Sequence, residues 1–234
     1  MLCFFRMSRN QSFLLISVLI LGVVGLVGLF FPRPAASPAL PSEKGIATST
    51  PVAVEEITPI PIKPRAVVQH PLPLALGDTI TAWDFKGAYI GNPELVAKAQ
   101  SEIKRFSDLL KTATSSSMIL SVGIANEYEL LGKGKEQYDY LGLAVRADAK
   151  NGLPWHNLGV LMERLHAYET ARIAHEKAAT FQPQFSLYQY AYLEFLLQNM
   201  KSDTAVIEKA FAAAETNIGK TPYLLELRAK WEKP

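Results

Sequence analysis

"WHNLGVLMERLHAYETARIAHEKAATFQP", residues 155–183, holds three of the chain's four histidines and a Glu163-x-x-His166 pair. A carboxylate and an imidazole at i, i+3 is a spacing that carboxylate-rich helix bundles use to hold metals. The stretch therefore reads either as a ligand set or as architecture. Trp155, Leu158, Gly159 and Met162 fall on one side of a helix. A turn is expected at His166–Ala167. Ala171, His175 and Ala178 then share one side of a second helix, and Pro183 cannot continue it.

The window Gly152–Phe185 is 34 residues long, and the 34 residues before it, Met118–Asn151, repeat the pattern. Ser121, Ile124, Ala125 and Tyr128 take the first-helix positions, "LGKG" at 131–134 makes the turn, and Gln137, Leu141 and Ala144 follow. Such a period belongs to a helix–turn–helix repeat. Trp155, Leu158-Gly159, Ala171, Ala178 and Pro183 stand where the tetratricopeptide repeat places its large, small and proline residues, and the chain resembles that family over about 118–219. The resemblance implies an all-α, TPR-like solenoid of about three helix pairs. A third window, Ser186–Gly219, keeps Tyr192, Leu196, Ala205 and Ala212 in gap-free register but has bulky Leu193 at a small-residue position. Placing Ala191 there instead shifts the register by two, so the sequence leaves this pair's register open. Residues 220–234 form a closing helix, with Thr221 capping and Pro222 leading, because a solenoid must cover its last apolar face.

Before the repeats, Asn92 as N-cap, Pro93 and Glu94 open a helix over 92–111 whose apolar face is Leu95, Ala99, Phe106 and Leu110. With the preceding segment it makes an N-terminal unit, 76–117. The stretch "GDTITAWDFKGAYIGNP" reads either as a short strand or as an irregular segment packed on this helix.

The far N-terminus is of another kind. Phe13 to Phe31 carries no charge. At about 1.5 Å per residue it spans roughly 28 Å, the hydrocarbon thickness of a bilayer. A transmembrane helix is expected, rather than a cleaved signal with its shorter apolar core. Gly22, Gly25 and Gly28 inside it do not make a G-x-x-x-G contact motif. Arg6, Arg9 and the terminal amine outweigh Arg33, which leaves residues 1–12 in the cytoplasm and the rest outside a cytoplasmic (inner) membrane. Met7 is an alternative start. Residues 32–75 hold ten of the fifteen prolines and read as a flexible tether.

Other chemistry finds little support. Six basic residues before position 76 face three acidic ones, giving +3 there; the net charge of +2 leaves −1 for 76–234. That excludes nucleic-acid binding by bulk charge. Cys3 is the sole cysteine. No H-E-x-x-H, second E-x-x-H, P-loop or Gly-x-Ser-x-Gly is present. Neither a metal, a cofactor nor an enzyme activity is expected; Asp78 and Asp84 are the only acid–base candidates in the irregular segment. His166 reads as a turn residue and His175 as semi-buried packing.

What the resemblance implies is protein binding in a groove lined by the first helix of each repeat. One-face spacing puts Val122, Asn126 and Glu129 there, then His156, Val160 and Glu163, then Tyr190, Glu194 and Leu197 in the gap-free register. The three glutamates predict a mildly acidic groove that takes a basic or amphipathic segment of another protein. A helical small-molecule or glycan-binding domain is the alternative.

Overall fold

A computed structural model describes residues 69–113 and 116–233. The expected transmembrane helix 13–31 and all of the tether up to residue 68 lie outside the described residues. No helix among the described residues is long and apolar enough to cross a membrane.

The described region is all-helical, with no strand. Its helices are α1 (Pro93–Thr112), α2 (Ser117–Leu131), α3 (Gly134–Ala147), α4 (Gly152–Arg164), α5 (Tyr168–Phe181), α6 (Ser186–Asn199), α7 (Thr204–Ile218) and α8 (Pro222–Glu232). Connections of two to four residues make successive helices antiparallel neighbours. The members of each pair pack on each other, α2 on α3, α4 on α5 and α6 on α7, and α1 packs on α2. Pairs join through α3–α4 and α5–α6, while α4 also touches α6 and α6 touches α8.

Local signals explain the helix ends. Asn92 accepts from Leu95 N and Thr221 from Leu224 N, each with proline at the first helical position. Gly132, at φ 75°, closes α2 in the left-handed region, and a Cβ there would lie 2.1 Å from Phe85 O. Pro183 follows the end of α5 at Phe181. In the second pair Trp155, Leu158, Gly159 and Met162 on α4, and Ala171, His175 and Ala178 on α5, are all buried. In the first pair Ser121, Ile124, Ala125, Gln137, Leu141 and Ala144 are buried.

The third pair resolves its open register in two halves. On α6, Tyr192, Leu193 and Leu196 are buried, as the gap-free alignment requires. On α7 the buried set is Ile207, Ala210, Phe211 and Ala214, while Ala205 and Ala212 are exposed. The second helix has slipped by two residues. Helix α6 runs one residue longer than α4, and the turn Met200–Asp203 is one residue longer than the turn at 165–167, so α7 starts two residues late.

The segment before α1 is a strap, not a strand. Its one ladder contact is the isolated antiparallel bridge between Asp84 and Lys133, reinforced by a 2.6 Å ion pair. It docks on the α2–α3 turn, on α3 and on the start of α5. Its first residues belong to the stretch assigned to the tether, yet Leu72 is 2% exposed. His70 stacks on Tyr138 at 3.5 Å between centroids and fills the notch left by Gly142. His70 Nε2 donates to Tyr138 O, Leu72 N donates to Nδ1, and the Tyr138 hydroxyl donates to Leu72 O. Burial pushes the His70 ring below, and the Tyr138 phenol up to about 12. Further on, Phe85 N and Tyr89 N donate to Gly132 O and Leu130 O. The Arg164 guanidinium lies 4.6 Å over the Phe85 ring.

Asp78 makes the strap's most consequential contact. The N-cap of α5 is Ala167, which has no side-chain acceptor to offer. The Asp78 carboxylate supplies it from 92 residues away. It accepts from Thr170 N at 2.7 Å, Thr170 Oγ1 at 2.7 Å and Glu169 N at 3.4 Å. Those are the orphan donors of a helix N-terminus, met by a carboxylate where the helix dipole favours one.

Candidate functional site

The residues expected to line a groove lie on α2, α4 and α6, and most of them tie one helix to the next. Asn126 accepts from Asn157 Nδ2 at 3.3 Å, joining α2 to α4. Glu129 pairs with Arg164 at 2.9 Å across the same junction. Glu163 accepts from Asn199 Nδ2 at 3.0 Å, joining α4 to α6. Glu194 accepts from the Tyr223 hydroxyl, and Tyr190 bonds to Thr221 Oγ1 at 2.6 Å, joining α6 to α8. The Tyr223 phenol is pushed up by burial and then by Glu194. Val122 is buried, and Val160 and Leu197 are half-buried.

These partners leave an uneven electrostatic surface. Arg164 offsets the charge of Glu129. Glu163 and Glu194 are held by neutral donors and, among the described residues, pair with no Lys or Arg. The acidic character predicted for three glutamates therefore rests on two.

A feature the sequence reading passed over lies on the same helices. Ile119, Leu153 and Leu187 recur one repeat length apart at the starts of α2, α4 and α6. Ile119 is 64% exposed, Leu187 43%, and Leu153 half-buried. Each precedes a groove residue by three positions and so shares its helix face. The signal was present as a third apolar column in the aligned windows.

No family model matches the chain, and no curated protein is found similar to it.

The Glu163-x-x-His166 pair divides. His166 sits exposed in the turn at φ 60°, its Nδ1 2.8 Å from the Tyr168 hydroxyl. Glu163 faces Asn199 instead. His175 is fully buried rather than semi-buried, at 2% exposure, because Gly159 has no side chain to displace it; a Cβ there would lie 2.7 Å from the ring. Among the described residues no three His, Cys, Asp or Glu side chains group as metal ligands. Asp78 caps α5 and Asp84 pairs with Lys133, so the two carboxylates of the strap have separate structural partners. An open cavity of about 400 Å³ lies between α1, α2 and α3, lined by Leu110, Ser117, Ser121, Leu143, Arg146 and Ala147. It contains none of the groove residues.

Proposed function

We propose that this chain is a membrane-anchored, TPR-like protein–protein interaction module, a scaffold or adaptor displayed outside the cytoplasm on a flexible tether. The observation that carries the reading is the stacking of α2, α4 and α6. Side chains one repeat apart bind these helices edge to edge; a column of apolar residues, Ile119, Leu153 and Leu187, stands at the helix starts, and two uncompensated carboxylates, Glu163 and Glu194, lie two to three turns further along α4 and α6. An apolar column with negative charge at the other end of the same helices suits an amphipathic segment that carries basic residues at one end. The charge-free run 13–31, with Arg6 and Arg9 before it, supports an N-terminus in the cytoplasm and a single-pass inner-membrane anchor. The chain is read as a binding protein with no catalytic, metal or cofactor role.

The test is site-specific photo-crosslinking in intact membranes. A photoreactive residue at Leu187 or Val160 should trap a defined partner, and one at exposed Lys209 on α7 should not. Salt and Glu194→Lys should both weaken capture. Equal trapping from Lys209, or capture indifferent to salt and to Glu194→Lys, would sink the reading.

A further inference from the structure

Two imidazoles, fully buried His175 and half-buried His156, lie where α4, α5 and α6 meet; His156 was expected in the groove, but its ring turns toward His175 and Tyr188. Among the described residues His175 has no hydrogen-bond partner at Nδ1 or Nε2, and His156 has none at Nδ1. Their ring centroids are 5.9 Å apart. Gly159 of α4 presses on the His175 ring from one side, and the Phe195 ring of α6 lies 5.2 Å away on the other. A buried polar group without a partner is costly, and a buried cation far more so.

We propose that the His156–His175 pair is an acid-operated joint: when either ring takes up a proton, α5 loses its seat against α4 and α6 and the layers part. An imidazolium needs acceptors for two N–H groups, and the surroundings offer almost none. From α4 the nearest is Glu163 Oε2, 3.9 Å from His175 Nε2 and beyond hydrogen-bond range, while its other oxygen is held by Asn199. From α6 the neighbours are neutral: Tyr188 lies 5.5 Å from His156, and Tyr192 is buried. On α5 itself, Arg172 pairs with Glu169 and Glu176, and Lys177 lies over the Trp155 ring. A first proton also repels a second across the pair.

Burial pushes His156 down to about 4; burial and then His156 push His175 down to about 3. Both folded values lie below the unfolded one, about 6.5. The unfolded chain therefore binds protons that the folded chain refuses. Stability is full above about pH 6.5 and is lost as pH falls from there toward about 4 for His156 and about 3 for His175. The joint operates whether or not the groove binds a partner.

The experiment is urea unfolding of the full chain in detergent at pH 7.5 and 5.0, followed by tryptophan fluorescence. Each ring should lower the folding equilibrium constant about 30-fold at pH 5.0. His175→Leu with His156→Gln should remove most of that difference, and His166→Gln, at the exposed turn, should leave it intact. An unchanged midpoint between the two pH values in the native chain, or an unchanged difference in the double variant, would overturn the proposal. Should the double variant not fold, histidine-labelled NMR of the native chain decides. Both rings must stay neutral down to pH 5 while the fold is intact. Titration of either at or above pH 6.5 with the fold preserved means that Glu163 closes on the cation, and the joint does not exist.

Discussion

Replacing Asp78 by alanine should cost about 2 kcal/mol, although the residue lies in irregular backbone far from α5 in sequence. The carboxylate accepts from two α5 backbone amides, at 2.7 and 3.4 Å, and from one hydroxyl at 2.7 Å. Losing a helix N-cap costs about 0.5–2 kcal/mol, and hydrogen bonds to a charged group are worth about 1.5–3 kcal/mol. These are two views of the same bonds and do not add. The Thr170 hydroxyl keeps one contact, to Ala75 N, which limits the loss. For a domain of this size about 2 kcal/mol corresponds to roughly 4–8 °C in Tm. Asp78→Asn, which keeps an acceptor but not the charge, should fall between. Asp84→Ala breaks only an exposed ion pair and should cost less than about 0.5 kcal/mol. The assay is urea unfolding at pH 7.5, with hydrogen exchange at Glu169 and Thr170 as the local readout. If Asp78→Ala were no worse than Asp84→Ala, or if those two amides exchanged no faster, the cap would have to come from elsewhere and the reasoning would fail.

Gly142→Ala puts a Cβ 2.2 Å from His70 Nε2 and should destabilise by about 1–3 kcal/mol, with His70→Ala recovering part of it in a double-mutant cycle. The slip in the third pair predicts that Ala212→Glu on the exposed side of α7 changes stability by less than about 0.5 kcal/mol, whereas Ala214→Glu on its buried side prevents folding or costs several kcal/mol; denaturation curves separate the two. His166→Gly relieves a left-handed backbone at φ 60° and should raise the unfolding midpoint by up to about 1 kcal/mol in free energy, less what the Tyr168 contact supplied.

What could be read beforehand followed from period. The helix pairs over 118–185 and the burial of Trp155, Gly159, Ala171 and Ala178 come from one-face spacing, which a helix imposes on any sequence that packs. Caps were legible for the same reason: Asn92 and Thr221 act within three residues. The strap was not, because His70 meets Tyr138, and Asp78 meets Thr170, across 68 and 92 residues with no periodicity to announce them. The slip in α7 was hidden by its own alanines. Ala205 and Ala212 mimic the small residues of the pattern, while Ala210 and Ala214 occupy the packed positions. In the candidate groove, spacing located the residues but not their partners. Yet Asn126–Asn157, Glu129–Arg164, Glu163–Asn199 and Glu194–Tyr223 all join residues separated by about one repeat. A search for complementary side chains at that separation would have found the edge-to-edge contacts, and with them the offset of Glu129.

A linear array of helix pairs ordinarily behaves as a chain of dominoes, each link sensing only its neighbours. The strap changes that. By seating Leu72 on α3 and Asp78 on α5, it stitches the first two pairs into one cooperative block that must open together. Helices α7 and α8 have no such stitch among the described residues, so fraying should begin at the C-terminal end and move inward. A fragment cut at residue 92 or 118 would keep the helix pairs from α2 onward yet forfeit this coupling, and its first two pairs would come apart in steps where in the longer chain they yield together.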